Sequence, residues 1–244
     1  IFNINSNSNF KKLQNKFKIF NKKYDLKVID IHQTFLKKIE KFISNYKKTL
    51  IIDKVLDNNK FTYLIPNLYR NTKKIKNIIS GEKCIILNRK IIFEKLINPK
   101  PKAKLDKLLL IGGTFSLSPE IKNFISSTKK LKIVSGPYVK KKEIDKFKNK
   151  NCSFIRNPDN IFNVIRSADK VYSRFGISVF EVLALGKKPT VFFNDNFVDK
   201  EVIYNLYIKK FINIYGKKKS KYIKNINIDE NLNNIFRIIE KIIN

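Results

Sequence analysis

The sequence predicts an α/β protein built on parallel sheets, and three observations lead there. From about residue 107 onward, short apolar runs alternate with segments of helical spacing. The runs are brief and almost wholly apolar, the pattern of strands covered on both faces. Several of them end on glycine-bearing turns, Gly112-Gly113-Thr114, Ser135-Gly136-Pro137 and Arg174-Phe175-Gly176. In an open parallel sheet such turns converge on one edge, outside the carboxyl ends of the strands, where ligands bind.

Taken in order, residues 1–9 are polar and low in complexity, and helical spacing follows over 10–20. An apolar run covers Leu26–Ile31, helical spacing returns over 33–48, and strand candidates stand at Thr49–Asp53, Phe61–Pro66 and Lys83–Leu87. Residues 97–107, with two prolines and four lysines, read as a linker between a first half (1–96) and a second (108–244). In the second half Lys107–Gly112 is a strand. Ser118–Lys129 is a helix announced by Ser118 at the cap position and Pro119 at the first helical position. Strands follow at Leu131–Ser135, Cys152–Ile155, Lys170–Ser173 and Thr190–Phe193. Helices are expected at 140–149, Asn160–Ala168, Ser178–Leu185 (stopped by Gly186), Lys200–Ile208 and Asn231–Ile243.

Composition narrows the function. With 52 Lys+Arg against 20 Asp+Glu, the 244-residue chain has a formal charge of +32. That charge is 46 Lys and only six Arg, beside 39 Ile, 30 Asn and three Ala, a skew that A/T-rich codons produce without selection for a polyanion. Nucleic-acid sites favour the planar fork of Arg, and here the lysines are scattered, so nucleic acid ranks last among partners, below an anionic membrane surface. The few arginines become the informative cations, Arg174 first. Cys84 and Cys152 make neither a disulfide framework nor a zinc site, which points to a reducing, cytoplasmic compartment, peripheral at the inner membrane face in the secondary reading. No run of apolar residues is long enough to span a membrane as a helix. The chain has no Met and begins at Ile1, so it is expected to be a fragment or to lack its true start.

The segment that can carry chemistry is 168–193. A buried strand ends in a turn holding Gly176, and a helix begins near Ile177–Ser178. A helix N-terminus at a strand's carboxyl end offers unpaired N–H groups and a positive dipole to a phosphate. Ser178 can add a hydrogen bond, and Glu181, one turn in, can accept from ribose hydroxyls. The alternative for the same residues is a tight strand-to-helix turn in which Ser178 caps and Glu181 is solvated. His32 and Asp30, an Asp-x-His at a strand end, are the weak candidates for a base and its orienting carboxylate. No metal-ligand spacing and no cofactor motif occurs, so neither metal nor cofactor is expected.

These residues resemble a family. Gly176-x-Ser178-x-x-Glu181, followed by Gly186 and Pro189 and preceded by Ala168-Asp169, is similar to the nucleotide-binding signature in the C-terminal domain of GT-B glycosyltransferases. The nearest in pattern are the UDP-sugar hydrolase of pseudaminic acid biosynthesis, its spore-coat polysaccharide relatives, and the N-acetylglucosaminyltransferase that makes lipid II. The resemblance covers about residues 105–216 and extends more weakly back to Asp25–Asp30, Leu64–Tyr69 and Lys83–Phe93. It implies two Rossmann-type halves with parallel sheets, the N-terminal one incomplete, because the family's opening Gly-rich loop with its functional His has no match here. It further implies that Ser173, Arg174, Phe175, Gly176, Ile177 and Ser178 wrap a diphosphate and that Glu181 holds the ribose. The backbone at Ile155 and Arg156 would face the uracil, Gly112, Gly113 and Thr114 would close over the phosphates beside Gly136, and Asn194 and Asn196 would touch the sugar. The implied activity is transfer of a sugar from UDP, or hydrolysis of the UDP-sugar, in surface polysaccharide or glycan assembly. Two alternatives stand beside it: a non-catalytic nucleotide-sugar-binding remnant, and a basic module binding nucleic acid or anionic membrane.

Overall fold

A computed structural model describes residues 26–30, 48–52, 60–65, 77–88, 90–97, 105–112, 117–136, 152–193, 197–218 and 226–243. It also describes the single positions Lys37, Glu40, Lys41, Ile43, Leu56, Val139 and Asp145. The chain divides into two compact units, residues 1–86 with 229–244, and residues 87–228.

The first unit holds four parallel strands, β1 (Lys27–Ile29), β2 (Thr49–Ile52), β3 (Thr62–Ile65) and β4 (Ile78–Ser80), paired in the order β1-β2-β3-β4. The twofold alternation of strand side chains sorts its core into two layers. Ile51, Tyr63 and Ile65 pack on one side with Ile29, Ile43, Leu56 and Phe61. Leu50 and Leu64 point the other way, against Cys84 and the apolar stripe of the last helix, α6 (Ile228–Ile243), through Ile235, Ile238, Ile239 and Ile242. The central strands β2 and β3 are thus covered on both faces, while Val28 of the edge strand β1 is left exposed. Asn231, buried in the first turn of α6, donates through Nδ2 to the carbonyls of Glu82 (2.9 Å) and Ile85 (3.3 Å) and so pins the helix to the 3-10 turn Glu82–Cys84. Asp229 and Glu230 lie in that first turn and Lys241 in the last, each matching the helix dipole.

The strand expected at Lys83–Leu87 is instead this 3-10 turn and an extended stretch outside any ladder, and the fourth strand is Ile78–Ser80. Cys84, Ile85 and Leu87 are nonetheless buried, so the apolar run reported burial rather than pairing.

The second unit opens with α1 (Lys90–Ile97), then β5 (Leu105–Gly112), α2 (Pro119–Ser127), β6 (Leu131–Ser135), β7 (Cys152–Arg156), α3 (Ile161–Ser167) and β8 (Ala168–Ser173). It continues with α4 (Ile177–Ala184), β9 (Thr190–Val191), α5 (Phe197–Ile208) and β10 (Asn213–Ile214). All six strands are parallel, in the order β10-β9-β8-β5-β6-β7. Counted from β5, that is the 3-2-1-4-5-6 order of a doubly wound dinucleotide-binding sheet read from its far edge.

Local chemistry sets the helix ends. Ser118 accepts from the Ile121 amide at the start of α2, and Asn160 accepts from the Asn163 amide at the start of α3. Gly186, at φ +77, ends α4: its amide reaches Leu183 O (2.9 Å) and the next amide, of Lys187, reaches Val182 O (3.1 Å), the paired bonds of a Schellman stop. One core layer joins Leu109, Ile111, Leu131, Ile133, Tyr172 and Phe192 of the strands and their ends to Ile121, Phe124 and Ile125 of α2. Phe124 sits within 5.5 Å, centroid to centroid, of Tyr172 (4.5 Å), Phe192 (5.3 Å) and Tyr215 (5.4 Å). The alternate strand residues Leu108, Leu110 and Val171 are buried as well, so this sheet too is covered on both faces. Of residues 97–107, those at 105–107 already belong to β5, and 98–104 lie outside the described residues. The helices expected at 10–20 and over most of 33–48 and 140–149 lie there as well. Among the described residues no helix is long and apolar enough to cross a membrane.

Candidate nucleotide site

In the second unit the strand order reverses between β5 and β8. The connections from β5 run outward on one side and those from β8 outward on the other, so the two strand ends cannot both be closed over by the same crossover. A cavity of about 470 Å³ opens at that point. Leu110, Ile111 and Gly112 reach it from β5, Val134, Ser135 and Gly136 from β6, Ser173 and Arg174 from β8, and Gly176, Ile177, Ser178 and Glu181 from the start of α4.

Backbone hydrogen bonds fix the rim. Gly136 N donates to Gly112 O (2.9 Å), Asn157 N to Ser135 O (2.8 Å) and Arg174 N to Leu110 O (3.2 Å), so the pairing of neighbouring strands runs on into the loops. Gly112 has φ +69, a conformation that glycine adopts freely and other residues do not. Asn157, at φ +45, takes the same left-handed backbone, which Asn tolerates better than most side chains. Phe175 packs edge-on against Phe180 of α4 (6.2 Å), anchoring the loop between β8 and α4 to the core.

The floor and the helix end are polar in a way the protein itself does not use up. Among the described residues no side chain caps α4; Gly176, extended at φ 162, precedes it, and a Cβ there would meet nothing within 4 Å. The first amides of α4 therefore face the cavity with their dipole end bare. Ser135 is 1% exposed and its Oγ has no hydrogen-bond partner, as is true of Thr49 Oγ1 in the first unit. An orphaned buried hydroxyl beside a cavity is a place where a ligand supplies the missing partner. Glu181 is half-buried; burial pushes its carboxyl up from the usual range, while a hydrogen bond with Ser178 pulls it back in part. The positive groups are thus at the mouth of α4 and the acidic one is a turn inside it.

Of the residues singled out from the sequence, Gly112, Gly136, Ser173, Arg174, Phe175, Gly176, Ile177, Ser178 and Glu181 come together here. Ile155 and Arg156 do not line the cavity: they are the last ladder residues of β7, paired with Val134 and Ser135, and it is the next two residues, Asn157 and Pro158, that reach it. Gly113, Thr114, Asn194, Asn196 and His32 lie outside the described residues, and Asp30 is exposed just past β1 in the first unit. Ser135 and Asn157 were not among the candidates; the Ser-Gly pair ending a strand was the signal for the first. Among the described residues no group of three or more His, Cys, Asp or Glu is placed to hold a metal ion.

A glycosyltransferase from Rickettsia africae ESF-5 is similar in structure, with a TM-score of 0.53 at 13% identity, the match covering 99% of this chain and 84% of that one. The fold is GT-B-like. Weaker likenesses are to a protein described as a putative UDP-N-acetylglucosamine 2-epimerase, from Listeria monocytogenes (TM-score 0.48, 11% identity, 98% of this chain and 74% of that). Arabidopsis thaliana UGT89C1 complexed with quercetin stands at a TM-score of 0.47 (12% identity, 96% and 67%). No family model matches this GT-B-like chain, and no curated protein matches it in sequence.

Proposed function

We propose that this chain binds a UDP-sugar in the cavity of its second unit and either transfers the sugar to an acceptor hydroxyl or releases it to water, in surface polysaccharide or glycan assembly. The observation that carries the reading is the bare N-terminus of α4 at the switch point of a 3-2-1-4-5-6 sheet, with Glu181 one turn behind it. The GT-B-like fold, a glycosyltransferase among its neighbours, supports it.

The chemistry follows from the side chains. Sugar departure leaves negative charge on the diphosphate, and charge that develops during a reaction is best met by donors already held in place. The amides of Ile177 and Ser178, the helix dipole and the Arg174 guanidinium are such donors. Glu181 accepts from the ribose hydroxyls. The Ser135 hydroxyl and the backbone at Asn157–Pro158 close the base side, taking the place given to Ile155 and Arg156 on sequence. Gly113 and Thr114 over the phosphates and Asn194 and Asn196 at the sugar belong to the same proposal, and Asp30 and His32 stay the candidates for a base that the sequence offers. Cys84, buried with its pKa pushed up by that burial, and Cys152 are not in a disulfide, which suits a reducing cytoplasmic compartment.

The test is thermal. UDP raises the melting temperature of the protein, and Ser178→Ala with Glu181→Ala removes the rise. If UDP, dTDP, GDP and CMP all leave the melting curve where it was, the reading fails.

A further inference from the structure

We infer that the surface formed by the C-terminal half of α5 and the turn after β10 is a docking face for an anionic lipid bilayer. It lies in the second unit, and no residue of it lines the nucleotide cavity.

Tyr204 and Ile208 are one helical turn apart on α5 and are 48% and 59% exposed. Exposed large apolar side chains occur singly on most proteins; two in line on one helix face call for a reason. The turn after β10 is bound to the same face, because Lys217 Nζ lies 5.8 Å from the centre of the Tyr204 ring and Tyr207 Oη donates to Lys218 O (3.1 Å). Tyr204 and Tyr207 are themselves in ring contact at 6.4 Å. The exposed lysines Lys209, Lys210, Lys217 and Lys218 therefore border the apolar pair. Lys210 also depresses the pKa of Lys188, after the larger effect of burial, which marks a concentration of positive charge. The described carboxylate of α5, Glu201, is half-buried.

Another helix shows what the pattern is not. Phe236 and Ile243 of α6 are also exposed on one face, but the exposed Glu240 lies between them. Among the described residues around Tyr204 and Ile208, the exposed charges are lysines. An aromatic ring and an aliphatic chain ringed by ammonium groups match the layout of an anionic headgroup layer, in which Tyr sits at the interface and lysines reach the phosphates. Nucleic acid fits less well: Ile208 offers no ring for a base, and all six arginines lie elsewhere in the chain.

The chain has no tryptophan, so Ile208→Trp provides a sole reporter. Added to vesicles of phosphatidylcholine with roughly one-third phosphatidylglycerol at about 0.1 M salt, it is expected to shift its emission to the blue; Phe236→Trp is not. In flotation assays the wild type rises with these vesicles and not with phosphatidylcholine alone. Lys210→Glu with Lys217→Glu and Lys218→Glu lowers partitioning at least about a hundredfold, at roughly fivefold or more per lysine. The same number of reversals on and beside α2, at Lys122, Lys129 and Lys130, has the smaller effect. Melting curves and UDP shifts that match the wild type show that the variants are folded and that the nucleotide reading stands or falls separately. The inference is overturned by any of three results: no binding to anionic vesicles, an equal loss from the two sets of reversals, or a tryptophan at 208 that stays in water while the protein floats. Salt-sensitive binding to RNA or DNA that is lost with the three patch reversals, without vesicle binding, overturns it in favour of nucleic acid.

Discussion

The two sheets of this protein are made from the same materials and end differently. In the first unit the described strands follow chain order, β1-β2-β3-β4, each step moving the same way across the sheet. In the second, β6 and β7 step away from β5 on one side while β8, β9 and β10 step away on the other. Both sheets are parallel and their central strands are apolar and covered on both faces, yet it is at the reversal between β5 and β8 that the cavity at the start of α4 opens. Strand chemistry makes the sheets; winding direction makes the site.

The largest effect that can break this comparison is in the support of α4. Phe180, 1% exposed, holds that helix to the sheet and the loop through Phe175. Phe180→Ala is expected to cost about 3–5 kcal/mol, seen in chemical denaturation, and to take nucleotide binding with it. Asn231→Ala strips two hydrogen bonds from the tie between α6 and the first unit and costs about 1–3 kcal/mol. It should leave the UDP-induced rise in melting temperature intact, because the site belongs to the other unit.

The glycines sharpen the distinction between stability and binding. Gly112→Ala forces a side chain into a left-handed backbone at φ +69 and costs about 1–2 kcal/mol, although its Cβ would strike nothing. Gly176→Ala costs less than about 1 kcal/mol, since the backbone there is extended and the space beside it open. Calorimetry should nevertheless show it weakening UDP binding more than Gly112→Ala does, because in the proposed site the phosphate approaches through that open space.

The smallest effect is electrostatic. Burial raises the pKa of Glu181 above its ordinary 4.5. Between that value and the raised one, the native protein keeps a proton that the unfolded chain has released, so stability falls as pH rises through the window. Glu181→Gln removes that fall. The free variant should melt above the wild type at neutral pH, lose the advantage below about pH 4, and show no rise with UDP.

The sequence made the second unit's architecture readable because its signals were local. Ser118-Pro119, Asn160 and Gly186 state helix ends by their own hydrogen bonding, and Leu131–Ser135 is long enough to stand out as a strand. β10, at two residues, carries no period to detect, and Lys83–Leu87 shows that a buried apolar run need not join a ladder. The helix at Asn231–Ile243 was visible by its stripe, but which sheet the stripe covers depends on partners nearly 200 residues away, such as Leu50. Within the site, the residues around Gly176 were legible because one turn of chain holds them all. Asn157 was not, because only the register of β7 with β6 decides which residue of that loop reaches the cavity.

Hydrogen exchange on the full chain with and without UDP tests the central claim most directly, since it reports where amides become protected. The account predicts slowed exchange in peptides covering Ser173–Glu181 and no comparable change across Thr49–Ile65 of the first unit. Protection confined to the first unit, or none at Ile177 and Ser178 under saturating UDP, would contradict it.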